Sequence, residues 1–197
     1  MPRSLAALAA LCLALCLGAC KQDGPHFNAT DISGADYAKD FSLTDHTGKP
    51  RHLADFKGKV VTMFFGYTQC PDVCPTTLAN MAQVMKLLGE EDAKRVQVIF
   101  VTVDPERDTL QLLAEYVPAF NPGFIGLRGD AAQTEAVEKD FKVFSQKQGD
   151  VASGQYTVDH TAATYVFDPQ GRLRLYVRHG ETPQNIASDI KTLLSGA

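Results

Sequence analysis

Val60-Val61-Thr62-Met63-Phe64-Phe65-Gly66-Tyr67-Thr68-Gln69-Cys70-Pro71-Asp72-Val73-Cys74-Pro75 runs from a strongly apolar segment into two cysteines four positions apart. Val60 to Tyr67 is almost continuously apolar and rich in β-branched and aromatic residues, the pattern of a strand buried on both faces. Beyond Pro75, Leu78, Met81, Met85 and Leu88 recur at helical spacing, and Gly89 ends the pattern. The cysteine pair therefore stands in the turn between a central strand and the helix that follows it.

Working outward, Val96 to Val103 reads as a second central strand, and Leu110, Leu113, Ala114 and Val117 as a helical stripe ending before Pro118. Phe124 to Leu127 is a short strand, and Ala131 to Phe144 a helix carrying Val137, Phe141 and Phe144. Thr164 to Phe167 and Leu173 to Val177 make a closing hairpin around Asp168-Pro169-Gln170-Gly171. A last helix spans Pro183 to Leu194, with Thr182 as N-cap and Pro183 in its first position. Upstream, Phe41 to Leu43 and Arg51 to Leu53 flank a turn at His46 to Pro50, as an N-terminal β-hairpin extension would. Two crossover units followed by a hairpin and a helix predict an α/β sandwich with a mixed sheet, and a thioredoxin-like fold leads. A flavodoxin-like fold is the rival, but it would need more parallel crossovers and no antiparallel closing hairpin.

Arg3 is the sole charged side chain before an apolar run from Leu5 to Leu17, and Leu17-Gly18-Ala19-Cys20 follows at once. That run is shorter than the roughly 20 residues a membrane-spanning helix needs, and the small residues suit cleavage just before Cys20. The expected organisation is a lipoprotein signal over residues 1–19, a lipidated Cys20 with a flexible tether to residue 40, and one domain over residues 41–197. The protein would then be exported in a bacterium and held at a membrane by lipid, with inner or outer membrane left open. The formal charge of −4 carries no basic run, which gives no electrostatic reason to expect nucleic acid. Cys12, Cys16 and Cys20 are the only other cysteines, so Cys70 and Cys74 are the only thiols of the folded body. In an oxidising compartment such a pair becomes a disulfide unless reductant or metal keeps it otherwise.

Pro75 reads as the first helical residue and Cys74 as the N-cap, which would place both sulfurs at the positive end of a helix and lower their pKa. Thiolates are the nucleophilic and metal-binding form. Two sulfurs seldom complete a metal site, and among His26, His46, His52, His160 and His179 the best third ligand is His160. It stands in Tyr156-Thr157-Val158-Asp159-His160-Thr161, before the closing hairpin, in a loop that faces the cysteine turn of a thioredoxin-like fold. Two thiolates and an imidazole suit Cu(I) and can also hold Cu(II). Zinc competes, but a structural zinc site would want a fourth protein ligand that the sequence does not offer. Asp159 is a possible partner for the His160 ring.

Three motifs in order, Gly66 to Pro75, then Val103-Asp104-Pro105-Glu106-Arg107-Asp108-Thr109, then Val158-Asp159-His160 with Tyr165 and Asp168 to Gly171, closely resemble the Sco/SenC proteins. The similarity covers about Phe41 to Leu194. It implies a thioredoxin-like fold, a membrane tether, and one copper per monomer bound by Cys70, Cys74 and His160. It further implies copper taken from a donor protein and delivered to the dinuclear copper centre in the copper-bearing subunit of cytochrome c oxidase. Many relatives use a transmembrane helix where this chain offers a lipobox.

Other readings of the same residues remain open at this point. Cys70 or Cys74 would attack disulfides in a thiol-disulfide reductase, although the three-residue spacing and the absence of proline from His160-Thr161-Ala162-Ala163 weigh against it. A peroxiredoxin-type peroxidase would need threonine three residues before the attacking cysteine, where Pro71 and Tyr67 stand. A purely structural Cys70–Cys74 disulfide would close too small a loop to stabilise much. Met81 and Met85 read as core residues on one helical stripe with Leu78 and Leu88. Asp104, Arg107 and Asp108 fit either a strand-to-helix turn, with Asp108 capping the next helix, or a role in docking a partner or orienting the copper loop.

Overall fold

The apolar segment that precedes the cysteines becomes the centre of an eight-stranded sheet. A computed structural model describes residues 24–197, so the apolar run and the lipidated Cys20 of the sequence reading lie outside the described residues. The strands are β1 (Thr30–Asp31), β2 (Leu43–Asp45), β3 (Pro50–Arg51), β4 (Val60–Gly66), β5 (Val96–Thr102), β6 (Ile125–Arg128), β7 (Ser145–Asp150), β8 (Gln155–His160), β9 (Ala163–Phe167) and β10 (Leu173–Arg178). The helices are α1 (Val73–Ala93), α2 (Leu110–Tyr116), α3 (Ala131–Phe141) and α4 (Pro183–Leu194), with a 3-10 turn at Leu53–Phe56.

The main sheet runs β1-β10-β9-β4-β5-β6-β2-β3. β4, β5 and β6 are parallel, with Val60 opposite Val96 and Ile99 opposite Ile125. β9 runs antiparallel to β4, and β10 antiparallel to β9. This is the mixed sheet of a thioredoxin-like fold. Every residue of β4 and β5 is buried, which explains why both read as unbroken apolar runs instead of alternating ones. Phe65 of β4 packs with Phe141 and Tyr165 at centroid separations of 5.2 to 6.0 Å, Tyr165 meeting both rings edge to face, and the Tyr165 hydroxyl donates to the Phe141 carbonyl at 2.8 Å. That bond lets a large amphipathic ring sit in the core without an orphaned hydroxyl.

The predicted N-terminal hairpin is present as β2–β3, and β2 also pairs with β6, so the extension is an edge of the main sheet. Gly89, read as the end of the first helix, breaks it internally. Its φ of 79° lies in the left-handed region that glycine tolerates, and a further helical turn runs on to Ala93.

Three further segments fold differently from their sequence expectation. The expected tether over residues 20–40 is docked in its described part: β1 pairs with β10, Phe27 and Ala38 are buried, and Asp189 accepts hydrogen bonds from the Asn28 and Ala29 N–H groups. Its polar composition hid this, because the attachment uses backbone groups and one buried carboxylate instead of an apolar period. The third helix stops at Phe141, where Lys142 turns left-handed (φ 55°), which leaves Phe144 outside the helix and 58% exposed. The segment Tyr156 to Thr161, expected as a loop, is largely a strand: residues 145–160 form a separate two-stranded ribbon, β7–β8. β7 carries no apolar side chain, and the alternation in β8 rests on Tyr156 and Val158 alone, too short a pattern to mark a strand by itself.

Candidate metal centre

β4 ends at Gly66, whose carbonyl accepts the Val103 N–H at 2.8 Å, and the chain then turns through Tyr67 to Asp72 into α1. The helix starts earlier than the sequence reading has it: Asp72 is the N-cap, Cys74 lies one residue inside the helix, and Pro75 follows it. The first N–H groups of a helix have no intrahelical acceptor, so a proline anywhere in the first turn forfeits nothing. The shift buries Cys74 completely, while Cys70 stays half-buried in the turn above it.

Gly66 makes room for the buried sulfur. A Cβ at this position would lie 2.7 Å from the Cys74 Sγ, 2.9 Å from Phe100 and 3.0 Å from Phe64. The thiol thus packs directly on the strand backbone. Burial pushes its pKa well above the ordinary thiol value, with the neighbouring Cys70 and Asp108 adding to the effect and a backbone hydrogen bond from Tyr67 opposing it. The expected lowering at a helix N-terminus is therefore overturned for Cys74, because desolvation outweighs the helix dipole.

The cysteine turn is held by a carboxylate from the neighbouring strand-to-helix connection. Asp108, buried, accepts from the Thr68 hydroxyl at 2.6 Å, the Thr68 N–H at 3.1 Å and the Thr102 hydroxyl at 2.6 Å. The helix cap assigned to Asp108 is instead Thr109, whose side chain accepts from Leu112 N–H. Asp104 and Arg107 pair in the same connection, and the Tyr156 hydroxyl of the ribbon donates to Asp104 at 2.9 Å.

The ribbon brings His160 over the cysteines. Its Nε2 stands 3.5 Å from the Cys74 Sγ, and its Nδ1 lies 3.1 Å from the Thr161 carbonyl oxygen. A proton on Nδ1, donated to that carbonyl, leaves the Nε2 lone pair facing the sulfur. Burial lowers the His160 pKa, against the opposing pull of the Thr161 carbonyl and Asp159, which favours the neutral ring that a metal requires. Phe64 and Tyr67 meet the ring edge-on at centroid distances of 6.0 Å. Asp159, weighed as the ring's partner, is exposed, and the Thr161 carbonyl holds Nδ1 in its place.

The ligand atoms of Cys70, Cys74 and His160 all lie within 4.8 Å of one another, and no other such cluster of His, Cys, Asp or Glu occurs among the described residues. They stand beside an open cleft of about 480 Å³ lined by Tyr67, Pro71, Val73, Val158 and Ala162, with Asp72 and Asp159 also on its wall. Donors bound to one ion sit about 2.0–2.3 Å from it, so a 3.5 Å separation between sulfur and nitrogen lets a single ion reach both.

The family model for SCO1/SenC matches residues 29–195. The chain belongs to the SCO1/SenC family. A mitochondrial SCO2 homolog from Mus musculus is 40% identical over 153 residues, which is 77% of this chain and 60% of that protein. The chain thus spans somewhat less than two thirds of that relative's length. The structure of Bradyrhizobium japonicum ScoI with copper bound is 41% identical and superposes with a TM-score of 0.72, covering 79% of this chain and 98% of that one. Apo Sco1 from Thermus thermophilus is 40% identical with a TM-score of 0.78, covering 87% and 99%.

Within this SCO1/SenC chain the remaining described histidines stand apart from the cluster. His26, His52 and His179 are exposed, and the His46 ring accepts the Gly126 N–H at 3.0 Å, tying β2 to β6. Met81 is buried beside Leu78, as a core role predicts. Three groups that shape this SCO1/SenC site escaped the sequence reading: Gly66, Thr102 and the Thr161 carbonyl. A glycine at a strand end and a threonine in a strand carry no signal until the helix and ribbon are laid against them.

Proposed function

We propose that this chain is a copper carrier that holds one copper ion through Cys70, Cys74 and His160 and passes it to an acceptor by ligand exchange. The observation that carries this reading is the convergence of the three ligand atoms within 4.8 Å beside an open cleft. Two sulfurs and an imidazole form a soft donor set without a carboxylate, which favours copper over magnesium, calcium or manganese. Three protein ligands leave one side open, so an incoming thiolate or imidazole can share the ion before the carrier lets go. A closed four-ligand cage would not permit this.

The acceptor in this reading is the copper-bearing subunit of cytochrome c oxidase during assembly, and the source is a separate copper donor protein. The Cys20 lipobox supports an extracytoplasmic location with lipid as the membrane attachment. Among the described residues no helix is long and apolar enough to cross a membrane.

The adjacency of the two thiols favours a second reading, an extracytoplasmic thiol-disulfide reductase that keeps the acceptor's cysteines reduced. Cys70 is the thiol with access to the cleft, whereas burial holds the Cys74 proton in place and makes it a poor attacking group. Titration of the reduced protein with Cu(I) against a competing chelator, alongside Cys70→Ser, Cys74→Ser and His160→Ala, decides between the two. One tight equivalent, lost in both cysteine variants and weakened in His160→Ala, supports the carrier. Absence of tight binding together with a readily cycled disulfide transfers the function to thiol reduction.

A further inference from the structure

His160 is carried by β7–β8, and that ribbon shares no strand pairing with the main sheet. The place of the third ligand therefore depends on what fastens the ribbon to the body. Beside the ion pair of Lys147 on β7 with Glu106 at 2.6 Å, the side chain that reaches both the ribbon and the cysteine turn is Arg107, in the connection between β5 and α2. Its Nη1 donates to the Tyr156 carbonyl at 2.9 Å and reaches the Gly154 carbonyl at 3.4 Å, both on the ribbon side. The same nitrogen lies 3.3 Å from Gln69 Oε1, beside Cys70 in the cysteine turn. The guanidinium stacks on the Tyr156 ring at 3.6 Å and stands 5.6 Å from the Tyr67 ring. On its inner side Nε donates to Asp104, a fully buried carboxylate that also accepts the Tyr156 hydroxyl.

We propose that Arg107 is a positioning residue which locks the β7–β8 ribbon to the cysteine turn and thereby sets where the His160 imidazole stands relative to Cys70 and Cys74. This rests on the copper reading above for its consequence in binding, but the locking itself does not require the metal. An arginine tied only to an exposed acid would contribute little. Arg107 is only 14% exposed and Asp104 not at all, so this pair is desolvated and spatially defined. Its planar fork addresses a carboxylate on one edge and backbone carbonyls on another while its face lies on an aromatic ring. A lysine ammonium offers no such arrangement, and Arg107→Lys should behave like a loss of function despite keeping the charge.

A double-mutant cycle separates positioning from general destabilisation. Cu(I) affinity is measured by chelator competition for the detergent-solubilised full chain and for Arg107→Ala, Arg107→Lys, His160→Ala and Arg107→Ala/His160→Ala. Removal of a group that orients a metal ligand typically costs about tenfold to a hundredfold in affinity, and both Arg107 variants should fall in that range. With His160 already gone, Arg107→Ala should cost less than about twofold, because coupled residues lose their effect when the partner is absent. Equal losses in the two backgrounds would overturn the proposal, since they would mean that Arg107 acts through overall stability.

Amide hydrogen exchange of the metal-free protein supplies the second readout. In Arg107→Ala the amides of β7 and β8 should exchange about tenfold faster or more while those of β4 and β5 keep their protection. Unchanged ribbon exchange would also overturn the proposal. If the wild-type chain takes up no copper, the carrier reading falls, and ribbon exchange still decides whether Arg107 is the lock. Should Arg107→Ala fail to fold, Tyr156→Phe removes only the hydroxyl that reaches Asp104 and should show the same coupling to His160 with a smaller loss.

Discussion

The Cys74 Sγ lies 3.5 Å from the His160 Nε2, although 86 positions separate the two residues. One sits in the first turn of α1, packed on the main sheet, and the other ends a ribbon that shares no strand with that sheet. Their meeting depends on both supports at once: the glycine beneath the sulfur and the side chains that hold the ribbon down.

Gly66→Ala tests the first support. The added methyl would fall 2.7 Å from the sulfur and about as close to two aromatic rings, so the sulfur or the helix start must move. Overfilling a packed site of this kind costs about 1–3 kcal/mol. Chemical denaturation should register that loss, and Cu(I) competition should show weakened binding in the fraction that folds. Wild-type stability and affinity together would mean that the sulfur is not confined as described.

Asp108 governs the cysteine turn through Thr68 and Thr102. Asp108→Ala leaves a backbone N–H and two hydroxyls without their acceptor, at an expected cost of about 1–3 kcal/mol. Thr102→Val removes one of those bonds and should cost less. Urea denaturation of the two variants checks the order; a larger loss in Thr102→Val would contradict it.

Acid lability should trace in part to Asp45. Burial works to raise its pKa, but hydrogen bonds from Thr47, Arg51 and the backbone of Lys49 and Thr47 outweigh it and hold the carboxyl well below the usual range. A folded-state pKa below the unfolded value of about 3.9 means that the stabilisation is fully present above that value and is lost progressively as pH falls from it through the lower folded-state pKa. Asp45→Asn should lower stability at pH 7 and reduce the difference between the stabilities measured at pH 5 and pH 3. An unaltered difference would place the acid sensitivity elsewhere.

Docking of the N-terminal segment depends on Asp189, whose carboxylate accepts from Asn28 N–H, the Asn28 side-chain amide and Ala29 N–H at 2.8 to 2.9 Å. Asp189→Ala should expose the chain between residues 24 and 40 to limited proteolysis while the metal centre, which shares none of these contacts, keeps its affinity. Protection equal to wild type would show that β1 pairing alone suffices.

The sequence by itself determined the elements that bury large apolar faces and the chemistry at their ends. β4 and β5 were legible as unbroken apolar runs, α1 from Leu78, Met81 and Leu88, and α4 from Thr182-Pro183, because burial imposes a period that composition records. Cys70, Cys74 and His160 could be singled out because few residue types bind soft metals, and the fold class predicted that they would meet. Tertiary structure alone decided how they meet. The ribbon under His160 is mostly exposed and polar, so only the short alternation of Tyr156 and Val158 marks it, and the helix starts before its proline because the first turn tolerates one. The same holds for the Cys74 pKa, which follows the desolvation of a side chain and not its place on a helix. Gly66, Asp108, Arg107 and the Thr161 carbonyl act through neighbours that are remote in sequence or through an orientation no motif encodes, and only the packed chain brings those groups within reach.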